Sequence, residues 1–195
     1  MNNPRIRWLS EEDPPDAFPP AEAATLEPNG LLAAGGDLSQ PRLMHAYRHG
    51  IFPWYEEGQP VLWWSPDPRC IIRPGDFRLS RRMLRDVRRS LYRIRLNTAF
   101  ADVVNHCRAP RRHQHGTWIT PDMVDAFVSL HGARWAHSIE VWQDDRLVGG
   151  LYGLLIGRVF FGESMFSQRP NASKYALLYL CLLYTSPSPR DCNEY

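Results

Sequence analysis

The chain has 195 residues, 44% of them hydrophobic and 12% aromatic, and a net charge of +2. That composition excludes a disordered or fibrous protein and allows one large domain or two small ones with a real core. No apolar run approaches a membrane span and no secretory signal opens the chain. Cys70, Cys107, Cys181 and Cys192 share no metal or redox spacing, so they read as reduced thiols in a cytoplasmic protein.

Residues 1–28 are rich in proline and acid and read as an extended arm, with Trp8 and Phe18 as its anchors. Residues 29–39, NGLLAAGGDLS, lack both the GxxxxGK[ST] and the GxGxxG spacing, so they predict a turn before a helix and not a phosphate cradle. Ser39 or Asp37 supplies the cap, Pro41 suits the first turn and Gly50 stops the helix. His45 and His49 stand at i and i+4, but no third ligand or carboxylate supports a metal, so they read as surface residues. Three Trp and four Pro within residues 52–68 form a rigid aromatic surface. Such a wall binds apolar side chains, stacks bases, or belongs to an ordinary core.

From Arg69 to Arg95, ten Arg face only Asp76 and Asp86, a local +8 that leaves −6 for the remainder. This is the footprint of a polyanion site or of a merely solvated helix, and charge alone does not separate them. Residues 80–91 predict a helix with Met83, Leu84, Val87 and Leu91 on its apolar face. Arg81, Arg85, Arg88 and Arg89, at i, i+4, i+7 and i+8, share about a quarter-turn of another face. Guanidiniums stacked in this way match phosphates spaced along a nucleic-acid strand and favour the polyanion reading.

Residues 92–97 alternate as a strand. Thr98 then caps a helix with Phe100, Val103, Val104 and Cys107 inward. His113 and His115 fall in a basic loop and read as solvated histidines. Thr120-Pro121 opens a helix carrying Val124, Phe127, Val128 and Leu130 that stops at Gly132. The stretch from His137 to Leu178 organises the chain. Strand 138–142 turns at Gln143-Asp144-Asp145-Arg146 into strand 147–156, and Gly157-Arg158 is a second hairpin signal before residues 159–161. Gly149, Gly150 and Gly153 interrupt the second strand, as for a bulge or a close approach by a ligand. Residues 162–167, GESMFS, then hold a lone carboxylate, Glu163. A polar loop, residues 167–174, leads to an apolar helix from Tyr175.

The segments GLLAAGGDLS, YRHGIFPWY, LWWSPDPR, GTWIT, HSIEVW, LVGGLYG and FFGESMFSQRPNASK, in unbroken order over about residues 6–178, resemble the leucyl/phenylalanyl-tRNA–protein transferase family. The resemblance implies an α/β (α+β) protein. A small N-terminal α/β domain, residues 1–68, precedes a domain similar to the acyl-CoA N-acyltransferase (GNAT-like) fold, residues 69–180. It implies transfer of Leu or Phe, with Met a third candidate donor, from aminoacyl-tRNA to the α-amine of proteins beginning with Arg or Lys, in the N-degron pathway of protein degradation. By the same resemblance Trp54, Trp118 and Phe160 line the pocket for the apolar side chain and terminal adenosine. Glu163 is the functional carboxylate, and Arg81, Arg85, Arg88 and Arg89 contact tRNA. The implied partners are Leu-tRNA, Phe-tRNA and protein substrates, with no metal, cofactor or membrane, and a monomeric state.

After about Leu178 the resemblance ends. The family continues into a strand with an Asp-x-Gln pair, whereas here Pro187 and Pro189 forbid a helix and no strand pattern follows. Residues 181–195 are therefore expected to be a non-native tail on a truncated chain, and its activity is expected to be weakened or lost. A CoA-dependent N-acetyltransferase and a non-catalytic tRNA-binding module are the competing readings. The first needs a glycine-bearing pyrophosphate loop, which residues 167–174 do not provide.

Overall fold

The computed structural model describes residues 6–89, 91–109 and 117–185. The side chains of Leu84 and Arg88, together with His113, His115, Pro187, Pro189 and Cys192, lie outside the described residues. The element order is β1 (Arg7–Leu9), β2 (Leu31–Gly35), α1 (Gln40–Arg48), β3 (Phe52–Pro53), β4 (Leu62–Trp64), α2 (Arg81–Arg89), β5 (Arg93–Leu96), α3 (Phe100–Arg108), α4 (Pro121–Gly132), β6 (Ala136–Gln143), β7 (Arg146–Ile156), β8 (Val159–Ser167) and α5 (Ala172–Thr185). This is the mixed α/β class expected. No helix among the described residues is long and apolar enough to cross a membrane. The chain folds into two compact units. One joins residues up to Arg69 with Arg108–Ala136 and Leu155–Phe161; the other takes Cys70–Cys107, His137–Leu154 and the residues from Gly162 on.

In the first unit a small sheet has the order β1-β2-β4-β3. Residues 31–35, expected as part of a turn, form β2, buried along its whole length. A short apolar run reads as turn, helix or strand until its partners are known, and here β1 and β4 flank it. β1 pairs parallel to β2 through Leu9, which is buried, while Trp8 is exposed and so does not anchor the arm. Phe18 does: it meets Trp63 edge-on at 4.9 Å and stacks on His45 at 6.1 Å. The arm is also tied down by Arg42, a fully buried residue of α1. Its guanidinium pairs with Asp37 at 3.2 Å and donates to the carbonyls of Ser10, Asp13 and Pro14. Asp37 takes the N–H of Ser39 at 2.7 Å, so it is Asp37, and not the Ser39 hydroxyl, that serves the start of α1. In α4 the core face is Met123, Phe127 and Leu130, at i, i+4 and i+7, whereas Val128 is exposed.

In the second unit the sheet order is β5-β6-β7-β8. β5 and β6 run antiparallel from Arg93 opposite Trp142 to Leu96 opposite Ile139. Asp144 and Asp145, with φ of 48° and 60°, make the two-residue hairpin turn into β7. The inward face of α3 is Phe100, Val103, Val104 and Cys107, as its spacing predicts. Gly149 and Gly150 of β7 are accounted for by the chain itself and not by a ligand. A Cβ on Gly149 would stand 2.5 Å from Ala172 of α5, and one on Gly150 would stand 2.9 Å from the Ile139 carbonyl.

The start of α3 is held by a buried carboxylate. Glu140 of β6 is fully buried and accepts the N–H groups of Thr98 and Ala99, both at 2.8 Å. It also accepts the hydroxyl of Thr98, the hydroxyl of Ser138 at 2.8 Å and the indole N–H of Trp142 at 3.4 Å. Thr98 thus donates to the cap instead of being one. Burial raises the Glu140 pKa, but the hydrogen bonds from Thr98, Ala99, Ser138 and Trp142 outweigh it, and the group ends below its ordinary 4.5. A carboxylate whose folded pKa is depressed contributes stability that is present above its unfolded pKa and is lost as pH falls through the folded value. Glu140→Gln is therefore expected to lower stability at pH 7 by about 2–3 kcal/mol. Urea unfolding at pH 7 and at pH 3 should show the gap between wild type and variant closing in acid; a gap that stays constant would contradict the assignment.

Candidate functional site

In the first unit the aromatic wall is built by strand alternation. β3 and β4 pair with Phe52 opposite Trp64 and Pro53 opposite Trp63. Trp63 therefore points inward, fully buried, with its indole N–H donating to the Gly35 carbonyl at 2.9 Å. Trp64 points outward, donates to the Trp54 carbonyl at 2.7 Å and meets the Trp54 ring edge-on at 5.7 Å. The Trp54 N–H donates to Leu62 at 2.9 Å, so the backbone of this residue is bonded on both sides while its indole is half exposed. Trp118 stands two residues before Thr120, the N-cap of α4, half-buried beside the buried Ile119. Phe160, on β8, is half-buried, and its neighbour Phe161 meets Tyr47 edge-on at 5.4 Å. Trp54, Trp118 and Phe160 thus belong to one compact unit.

The second unit holds Glu163, half-buried within β8. The strand expected over residues 159–161 runs on from Val159 through Ser167, so the GESMFS segment is part of it. Beside it lies Tyr152 of β7, fully buried. Burial pushes the Tyr152 pKa well above the usual tyrosine range, and the charges of Glu163 and Cys107 push it the same way. A hydroxyl that holds its proton this firmly serves as a hydrogen-bond group and not as a base. The sequence reading passed over Tyr152. Its signal was the hairpin count, since stepping outward from Gly157-Arg158 sets position 152 opposite 163.

The loop after β8 satisfies itself. The Ser167 hydroxyl donates to the Arg169 carbonyl at 2.8 Å and accepts the Ser173 N–H at 3.3 Å, so one of the amides at the start of α5 is occupied. A pyrophosphate cradle would use such amides, which weighs against the CoA reading. His106 of α3 stacks on Phe166 at 4.7 Å, with the Gln168 amide 3.1 Å from its Nδ1. In α2 the Ser80 hydroxyl accepts the Met83 N–H at 3.2 Å and Met83 is buried. Leu91, expected on the same apolar face, lies past the helix end and is exposed. Arg81, Arg85 and Arg89 are exposed, and no ion pair joins any of them among the described residues. Asp86, the one acid of the helix, is half-buried and turned to the Asn171 amide at 3.4 Å.

Residues 36–67 match the leucyl/phenylalanyl-tRNA protein transferase N-terminal domain, and residues 71–188 match the leucyl/phenylalanyl-tRNA protein transferase family. The chain is similar to the leucyl/phenylalanyl-tRNA–protein transferase of Alkalilimnicola ehrlichii, 56% identical over 177 residues, which cover 90% of this chain and 69% of that protein. The enzymes of the same name from Stutzerimonas stutzeri and Pseudomonas fluorescens are 54% and 55% identical over 175 residues, covering 90% of this chain and 76% of each.

A row of exposed, unneutralised Arg on α2 makes a specific prediction. Arg85→Ala together with Arg89→Ala should weaken binding of a structured RNA and reduce the slope of log affinity against log salt by about 2. A slope equal to that of wild type would remove this face from any RNA contact.

Proposed function

The chain belongs to the leucyl/phenylalanyl-tRNA–protein transferase family of aminoacyltransferases, and from that premise we propose that it joins Leu or Phe, carried on tRNA, to the N-terminal α-amine of proteins beginning with Arg or Lys. The observation that carries this reading is the sequence identity of more than half with named transferases over 90% of the chain.

The chemistry asks little of the protein. An α-amine has a pKa of about 7.7–8.0, so an appreciable fraction is nucleophilic at neutral pH. The aminoacyl ester is already activated, so orientation and modest proton handling suffice. The amine nitrogen attacks the ester carbonyl carbon, the bond to the ribose oxygen breaks, and the proton leaving nitrogen passes to that oxygen, directly or through water, to give the free hydroxyl. In this reading Trp54, Trp118 and Phe160 hold the apolar side chain and terminal adenosine. Rings give such a site area and stacking, with discrimination of about 1–3 kcal/mol per methylene. Glu163 accepts a hydrogen bond from the attacking amine and orients it, and Tyr152, protonated throughout, stands beside that carboxylate. Arg81, Arg85, Arg88 and Arg89 take the tRNA backbone, which is read by shape and charge and not by base sequence. The protein works in the cytoplasm, where charged tRNA is found, as a monomer.

Glu163→Gln tests the reading, because it keeps the size of the side chain and removes the charge. Transfer of labelled leucine to a peptide beginning with Arg should fall by about 10²-fold or more, with Leu-tRNA affinity within about twofold of wild type. Full transfer by the variant would contradict the role of Glu163. Parallel loss of transfer and tRNA binding would instead assign the residue to the fold.

A further inference from the structure

Tyr55 follows Trp54 directly, and Thr120 follows Trp118 by two positions. Both are buried, at 7% and 5% exposure, and the Tyr55 hydroxyl lies 3.1 Å from Thr120 Oγ1. The same Thr120 oxygen accepts the Met123 N–H at 3.3 Å as the N-cap of α4. The Thr120 N–H in turn donates to the Trp118 carbonyl at 3.1 Å. The cap, the tyrosine and the backbone of Trp118 therefore form one connected set. All of these residues lie in the same compact unit.

A hydroxyl buried at this depth pays for desolvation if its partner is lost, so the bond holds the two segments in one register. Trp54 is fixed from its other side by Leu62 and Trp64. A trans peptide step is about 3.8 Å, so Trp118 stands within about 7–8 Å of the Thr120 backbone. The bond therefore ties together the two backbone segments that carry Trp54 and Trp118. Burial raises the Tyr55 pKa, so this hydroxyl keeps its proton at neutral pH and the bond does not switch with pH.

We propose that the Tyr55–Thr120 hydrogen bond is a positioning element that sets the spacing of Trp54 and Trp118 and thereby the preference of the wall between a branched aliphatic and a flat aromatic aminoacyl side chain. The inference rests on the reading of that wall as the aminoacyl site. Nothing in the wall itself distinguishes leucine from phenylalanine by charge or hydrogen bonding, so the preference is one of shape, and shape is what a shift of one indole changes.

The test is binding, not transfer. Amide-linked 3′-leucyl- and 3′-phenylalanyl-adenosine analogues are titrated against the full chain and followed by tryptophan fluorescence. Tyr55→Phe removes one oxygen and is expected to change the ratio of the two Kd values by about threefold or more, while affinity for uncharged tRNA and the circular dichroism spectrum stay as in wild type. Thr120→Val should shift the ratio in the same direction, and Thr120→Ser, which keeps the hydroxyl, should restore the wild-type ratio. A merely structural bond would lower thermal stability and weaken both analogues alike. An unchanged ratio in Tyr55→Phe and Thr120→Val, with both analogues bound by wild type, would overturn the positioning role and leave the wall in place. If wild type bound neither analogue, the aminoacyl reading of the wall would be wrong and this inference would fall with it.

Discussion

The buried carboxylate of Glu140 is the constraint on which the second unit depends. An ionised group without solvent is destabilising unless its oxygens are filled, and here backbone amides, two hydroxyls and an indole fill them. Two of those donors are among the amides at the entry to α3, which have no partner within the helix. The helix dipole favours a negative charge at that end, so the carboxylate satisfies both demands at once. With α3 fixed on β6, its apolar face meets the sheet, Phe100 reaches Tyr152 edge-on at 5.9 Å, and His106 lies against Phe166. The strands that carry Tyr152 and Glu163 are thus braced by a carboxylate whose oxygens are filled by the protein itself.

The chain uses its two conspicuous glutamates in opposite ways. Glu140 is sealed and held ionised by donors that leave it nothing to accept from a substrate. Glu163 is half-buried on β8, a strand with no fully buried residue, and lies next to a tyrosine that keeps its proton. A carboxylate that orients an incoming amine needs this second setting. In the first unit the division is the same: Trp63 is committed to the core, while Trp54 and Trp118 keep surface available for a ligand.

How much was legible in the sequence follows from how local each signal is. The inward face of α3, the Thr120-Pro121 start of α4 and both hairpin turns were readable because spacing and turn chemistry act within a few residues. β2 was not, because LLAAG is a strand only once β1 and β4 flank it. Trp8 and Leu91 were misplaced because an apolar residue beside an element does not announce which way it points. Gly149 and Gly150 of β7 answer close approaches by Ala172 and the Ile139 carbonyl and not by the ligand expected, because no local pattern names a residue that folds back from elsewhere in the chain. Of the candidate site, the residues came from family motifs. The settings of Glu140, Tyr55 and Tyr152 are visible only in three dimensions; for Glu140 the amides of Thr98 and Ala99 lie about forty residues away in sequence.

The most direct test of the central claim is transfer of labelled leucine from Leu-tRNA to a peptide beginning with Arg, using this chain, beside the same peptide with an acetylated N-terminus. Label is expected in the free peptide above the no-enzyme control and not in the acetylated one, because in the proposed reaction the free α-amine is the nucleophile. Tight binding of Leu-tRNA with no label in either peptide would contradict it and leave a tRNA-binding module.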